Sequence, residues 1–167
     1  EEFNGYVHKV EDFKLLPEVI EGLKALSKEF IFVIITNQSG IGRGLYKEEH
    51  MHQFNEKLTD ELKKESIEIK KIYYCPHHPD EKCNCRKPSI KHIKEAEKEF
   101  DIDIKNSWVI GDHPHDVEMG MMAGCRSIYL TTGHGKKHLD SLEKNNTKPD
   151  FIAGNFLEAV EHIINNK

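Results

Sequence analysis

The sequence predicts an α/β protein, a Rossmann-like three-layer sandwich with a mostly parallel central sheet. Two observations predict it. Short β-branched and aromatic runs alternate with amphipathic stretches along all 167 residues. Polar, chemistry-bearing residues follow several of those runs where a hairpin protein would place tight turns: Thr36-Asn37, the cysteine loop running into Lys87, and Gly111-Asp112. In open parallel sheets, ligands gather beyond the carboxyl ends of the strands.

The elements follow in order. Residues 1–16 have no clear period, and Gly5-Tyr6-Val7-His8 reads as a loop. Pro17 starts a helix with Val19, Ile20, Leu23 and Leu26 on one face. Ile31 to Ile35 is an unbroken apolar run, expected to be a strand buried on both faces. The polar, glycine-rich loop 36–44 comes next, then a long helix over 47–65 with Met51, Phe54, Leu58 and Leu62 as its stripe. A strand over 67–74 ends at the cysteine loop, and a helix over 89–100 takes Ser89 as its N-cap.

Trp108-Val109-Ile110 is a short strand. The segment 114–123 is a helix closed by Gly124. Ser127 to Leu130 is another strand, and 131–148 is expected to be a polar loop region with a helical turn. Phe151-Ile152-Ala153 is the last strand, and Asn155 caps a final helix to about Ile164. No repeat or interdomain linker interrupts the series, so a single domain over 1–167 is expected.

Composition narrows the function classes. With 37% hydrophobic and 32% charged residues and a net charge of -5, the chain suits a globular protein with a well-solvated surface. A mildly acidic balance excludes a general attraction for nucleic acid or anionic membranes. No apolar run is long enough to span a bilayer, and Glu1 onward is no basic leader. The expectation is a cytoplasmic monomer.

One stretch is chemically denser than the rest. Cys75 and His77 are separated by one residue, Cys83 and Cys85 by one, and the two pairs by five, after which Arg86 and Lys87 follow directly. One thiolate-imidazole pair and one pair of thiolates folding back on each other are the ligand set of a tetrahedral Zn²⁺ with no position left for water, and so of a structural ion over 75–87. Buried free thiols and a disulfide are the competing readings. Pro76, Pro79, Asp80, Glu81 and Lys82 make the stretch a surface loop with no packing reason to gather thiols. The odd fourth cysteine, Cys125, argues against an oxidising compartment.

Thr36 with its backbone donors, the ammonium of Lys87 and the carboxylate of Asp112 together make equipment for holding a phosphoryl group while a divalent cation balances charge. These residues resemble the haloacid dehalogenase superfamily of phosphatases. Within it, Gly5-Tyr6-Val7-His8, the run Thr36 to Gly44 and the loop ending Cys85-Arg86-Lys87-Pro88 are similar to the heptose bisphosphate phosphatases, over nearly the whole chain. The resemblance implies a zinc loop in place of a large cap domain, and hydrolysis of a small phosphorylated metabolite through an aspartyl-phosphate. It further implies that Thr36 and Asn37 bind the transferring phosphoryl group and that Lys87 neutralises it. Asp112 would ligate Mg²⁺, with Asp116 supporting that ion from behind. Ser39, Gly40, Arg43, Arg86 and His113 would bind substrate, Arg86 through the planar fork that suits a second phosphate.

The chain departs from that pattern at three points. The superfamily's Asp-x-Asp motif on the first, central strand precedes the segment matching Glu1 onward, and Glu11-Asp12 comes too late to replace it. The expectation is therefore that an N-terminal segment is missing from the given sequence; a protein truly without it would be a non-catalytic phosphosugar-binding protein, the alternative from another class. His113 stands where the heptose enzymes usually have lysine. The five-residue spacing in the cysteine loop is closer to that of histidinol-phosphate phosphatases, the alternative substrate reading.

Overall fold

The structure, a computed structural model, describes residues 6–16 and 18–166. Gly5 of the expected first loop and the expected helix start at Pro17 lie outside the described residues. The chain divides into two compact units, one running to Arg86 and the other starting at Lys87.

In the first unit, α1 (Val19–Leu26) precedes β1 (Phe32–Asn37), which pairs in parallel with β2 (Ile69–Cys75). Parallel neighbours need a long crossover. It is supplied by α3 (Glu48–Lys64), whose first turn carries Glu48 and Glu49 and whose last turn carries Lys63 and Lys64, in the sense the helix dipole favours. Met51 and Leu62 are buried beneath it, and Phe54 meets the ring of Phe13 edge-on at 5.5 Å. The register sets Ile34 opposite Ile72 and Asn37 opposite Cys75, so β1 and β2 end level with each other.

Two sequence expectations change here. The loop after β1 contains a short helix, α2 (Ser39–Gly42). And β1 is half-buried along its whole length rather than buried on both faces, with Ile31 just before it 46% exposed. Its only strand partner among the described residues is β2.

The second unit is a three-stranded parallel sheet in the order β3 (Trp108–Gly111), β4 (Arg126–Leu130), β5 (Phe151–Ala153). Its helices are α4 (Lys91–Phe100), α5 (Pro114–Ala123), α6 (Gly135–Lys144) and α7 (Phe156–Asn165). The middle strand is the core, with Ile128 and Tyr129 fully buried. Local signals place the ends as expected: Gly124 takes φ of +86° to close α5, and Asn155 Oδ1 accepts the Glu158 N–H at 2.9 Å to open α7.

Helix α4 starts two residues later than Ser89 predicts, although Ser89 Oγ still accepts the Lys91 N–H at 3.3 Å. The larger correction is α6, a full helix where a polar loop with one turn is expected. Leu142 packs with Val117 of α5 and Tyr129 of β4, so a single apolar anchor holds a segment too polar to announce itself. No helix among the described residues is long and apolar enough to cross a membrane.

Candidate active site and metal centre

The first unit carries a Cys/His cluster that could hold a metal ion. Cys75 ends β2, and the loop beyond it returns Cys83 and Cys85 so that their sulfurs, that of Cys75 and an imidazole nitrogen of His77 all lie within 4.8 Å of one another. Cys75 Sγ is 3.6 Å from Cys83 Sγ and 3.5 Å from His77 Nδ1, and Cys85 Sγ is 3.2 Å from the same nitrogen. All four cysteines are free thiols, which removes the disulfide reading. Burial, then the neighbouring Cys85, pushes the Cys75 thiol up to about 12. Burial works in the same direction at Cys83, yet the backbone N–H groups of Cys85 and Arg86 hold that thiol below its ordinary value. Four metal-ligating side chains gathered this closely could hold a metal ion.

The loop after β1 is fastened to this centre. Gln38 donates its backbone N–H to the carbonyl of Cys75, and Gly42 donates to that of Pro76, both at 2.8 Å. A Cβ at Gly42 would overlap the backbone of His77 and His78, so glycine is what lets the two loops meet. Thr36 and Asn37 lie at the carboxyl end of β1. Thr36 Oγ1 accepts from Gln38 Nε2 at 3.0 Å, and Gln38 Oε1 in turn accepts the Tyr46 hydroxyl at 2.5 Å. Ser39 is buried, with Oγ 3.2 Å from the Tyr6 hydroxyl, whereas Arg43 is exposed at the end of α2. Arg86 is half-buried, and its Nη1 is buried with no hydrogen-bond partner among the described residues.

The second unit brings four predicted residues together. Lys87 Nζ lies 2.6 Å from Asp116 Oδ1, in a pair whose side chains are 16% and 8% exposed. Asp116 Oδ2 accepts the backbone N–H of His113 at 3.2 Å while His113 Nδ1 accepts that of His115 at 3.1 Å, a reciprocal cap on the N-terminus of α5. Gly111 leaves room for this carboxylate, since a Cβ there would overlap it. Burial foremost, and then the neighbouring His115 and His138, lower the His113 pKa. His113 is therefore a neutral imidazole near pH 7, unlike the lysine expected from the resemblance. Asp112, directly after β3, has Oδ2 accepting the His134 N–H at 2.9 Å.

Several of these partners were not singled out from the sequence. Gln38 and Tyr46 are eight residues apart and share no motif. Gly133 and His134 wrap the Asp112 carboxylate, and Tyr129 steadies their loop by donating to the Gly135 carbonyl at 2.7 Å. The signal for that loop was present: Thr131-Thr132-Gly133-His134-Gly135 is a polar, glycine-containing run at the carboxyl end of a buried strand.

Comparison with known proteins identifies the family. The HAD-hydrolase-like family model matches residues 84–159, which places the second unit, with Lys87, Asp112 and Asp116, in the haloacid dehalogenase class. The D-glycero-alpha-D-manno-heptose-1,7-bisphosphate 7-phosphatase of Photorhabdus laumondii is 39% identical over 139 residues, covering 78% of this chain and 76% of the relative. The D-glycero-beta-D-manno-heptose-1,7-bisphosphate 7-phosphatase of Haemophilus ducreyi is 34% identical over 168 residues, covering 96% and 90%. A crystal structure of the D,D-heptose 1,7-bisphosphate phosphatase from B. bronchiseptica, complexed with magnesium and phosphate, has a TM-score of 0.87. It covers 100% of this chain and 93% of its own at 24% identity, and so bears on the fold. The chain belongs to the D-glycero-D-manno-heptose-1,7-bisphosphate 7-phosphatase family of the haloacid dehalogenase superfamily.

Proposed function

We propose that the protein is a Mg²⁺-dependent phosphatase that removes the 7-phosphate of D-glycero-D-manno-heptose 1,7-bisphosphate through an aspartyl-phosphate, as a single-domain cytoplasmic monomer. The observation that carries this reading is similarity to enzymes of that name, at 34% identity across an alignment covering 96% of the chain. Thr36 and Asn37 would bind the transferring phosphoryl group, and Lys87 would neutralise it. Asp116 supports the Lys87 role, because its carboxylate fixes the ammonium.

Asp112 would ligate Mg²⁺, with Asp116 behind it, and the metal would supply charge neutralisation at the phosphoryl oxygens. Ser39, Gly40, Arg43, Arg86 and His113 would contact substrate, with His113 acting as a neutral donor. The four-ligand cluster would hold Zn²⁺. Zinc–sulfur distances of about 2.3 Å and zinc–nitrogen distances of about 2.1 Å set tetrahedral edges of about 3.5–3.8 Å. The separations of 3.6 and 3.5 Å around Cys75 fit that cage.

Phosphate release by the full-length protein with Mg²⁺ tests the reading, with heptose bisphosphate and histidinol phosphate compared side by side. The short cysteine-loop spacing is the feature that favours histidinol phosphate. A higher kcat/KM for heptose bisphosphate, abolished in Lys87→Ala and Asp112→Ala, is expected. Preference for histidinol phosphate would overturn the substrate, and wild-type rates in both variants would overturn the mechanism.

A further inference from the structure

The loop after β1 contains a hydrogen-bond chain that the roles above leave unused. The Tyr46 hydroxyl donates to Gln38 Oε1 at 2.5 Å, and Gln38 Nε2 donates to Thr36 Oγ1 at 3.0 Å. Tyr46 is buried, at 6% exposure, and its ring lies where a Cβ on Gly40 would be. The imidazole of His8 stacks on the ring at a centroid distance of 4.7 Å and an interplanar angle of 7°. The ring is thus clamped, and the phenol points at one acceptor.

We propose that Tyr46 is a positioning residue for Thr36: through Gln38 it fixes the direction in which the Thr36 hydroxyl donates. The proposal rests on the reading that Thr36 binds the transferring phosphoryl group. A threonine hydroxyl has one proton and two lone pairs. Accepting from Gln38 occupies a lone pair and leaves the proton for a ligand. Left alone at a strand end, such a hydroxyl turns its proton onto nearby backbone carbonyls.

The direction of the chain is set by Tyr46. If the Gln38 amide were flipped, its oxygen would draw the Thr36 proton inward and its nitrogen would face the phenol. Tyr46 makes no other hydrogen bond among the described residues, so the flip would take from the buried phenol proton the acceptor it has. An unmade buried hydrogen bond costs on the order of 1–3 kcal/mol, enough to choose one amide orientation. Burial, and then the nearby Tyr6, raise the Tyr46 pKa, so the phenol keeps its proton through the physiological range. Gly40 acquires a structural role as well: it makes room for the ring.

The test is a double-mutant cycle on the full-length enzyme, with zinc content and melting temperature measured for each variant. Tyr46→Phe keeps the ring and removes the proton. It is expected to lower kcat by about tenfold, the worth of one neutral hydrogen bond, with KM changed less than about twofold. In a Thr36→Val background the same substitution is expected to have no further effect, because the hydroxyl it directs is gone. Gln38→Met breaks the chain at its middle and is expected to reproduce the Tyr46→Phe loss, which provides a second route should Tyr46→Phe fold poorly. Equal losses from Tyr46→Phe with and without the Thr36 hydroxyl would overturn the proposal, as would an unchanged kcat in both Tyr46→Phe and Gln38→Met. Wild-type activity in Thr36→Val itself would instead remove the reading of Thr36, and the proposal with it.

Discussion

Lys87 and Asp116 come from points 29 residues apart and meet as a partly buried ion pair, Nζ to Oδ1, at 2.6 Å. The carboxylate's second oxygen is held by the His113 N–H, so one aspartate both orients the lysine and caps α5. An ammonium held this way has already surrendered side-chain entropy.

Asp116→Ala should therefore destabilise the protein more than a surface charge removal would. Breaking a buried pair costs about 3–5 kcal/mol, and because the Lys87 side chain is 16% exposed the lower end is expected. Asp116→Asn, which keeps an acceptor for the cap, should lose less. Urea unfolding of the two variants checks this; equal, near-zero losses would mean the pair contributes nothing.

Gly42 and Gly44 offer a second comparison. A side chain at Gly42 collides with the backbone of the cysteine loop, whereas Gly44 has open space around it and only its φ of +70° to recommend glycine. Gly44→Ala should cost about 1 kcal/mol. Gly42→Ala should cost about 1–3 kcal/mol by overpacking and should also speed metal loss, because it pushes Pro76–His78 outward. Identical metal release rates in the two variants would show that the loops are not coupled.

Metal affinity should depend on pH. In the metal-free protein the Cys75 thiol is pushed up to about 12, so at neutral pH it is protonated and must lose that proton when a metal binds. Each proton displaced weakens binding about tenfold per unit of falling pH. Zn²⁺ competition titrations at pH 6 and pH 8 should show tighter binding at pH 8. A flat profile would mean that the thiolate is already present in the empty cage.

Legibility from sequence tracks how local each signal is. Asn155 opening α7 and Gly124 closing α5 are decided within four residues of themselves, and both could be read directly. The Cys75 to Cys85 cage was legible because ligand spacing is a chemical pattern independent of the fold around it. Helix α6 was not, because its stability comes from Leu142 meeting residues of α5 and β4 rather than from its own periodicity. The apolar run of β1 says that it can be buried on both faces, but burial is decided by tertiary neighbours, and β1 is half-buried along its length. Among the candidate residues, Thr36 in the first unit and Lys87, Asp112 and Asp116 in the second stand in recognisable motifs. Gln38, Tyr46 and the His134 N–H act through contacts that no spacing rule encodes.

The cage also carries a redox liability. Its Cys75 and Cys83 sulfurs are 3.6 Å apart, against about 2.05 Å in a disulfide. While a cation holds both, their electron pairs are occupied and they resist oxidants. Once it leaves, a peroxide can take two electrons from the pair as the thiols release two protons, and the new covalent bond would bar the ion's return. Stripped protein stored in air should then fail to regain zinc until a dithiol reductant is added, whereas protein stripped under reductant should reload at once.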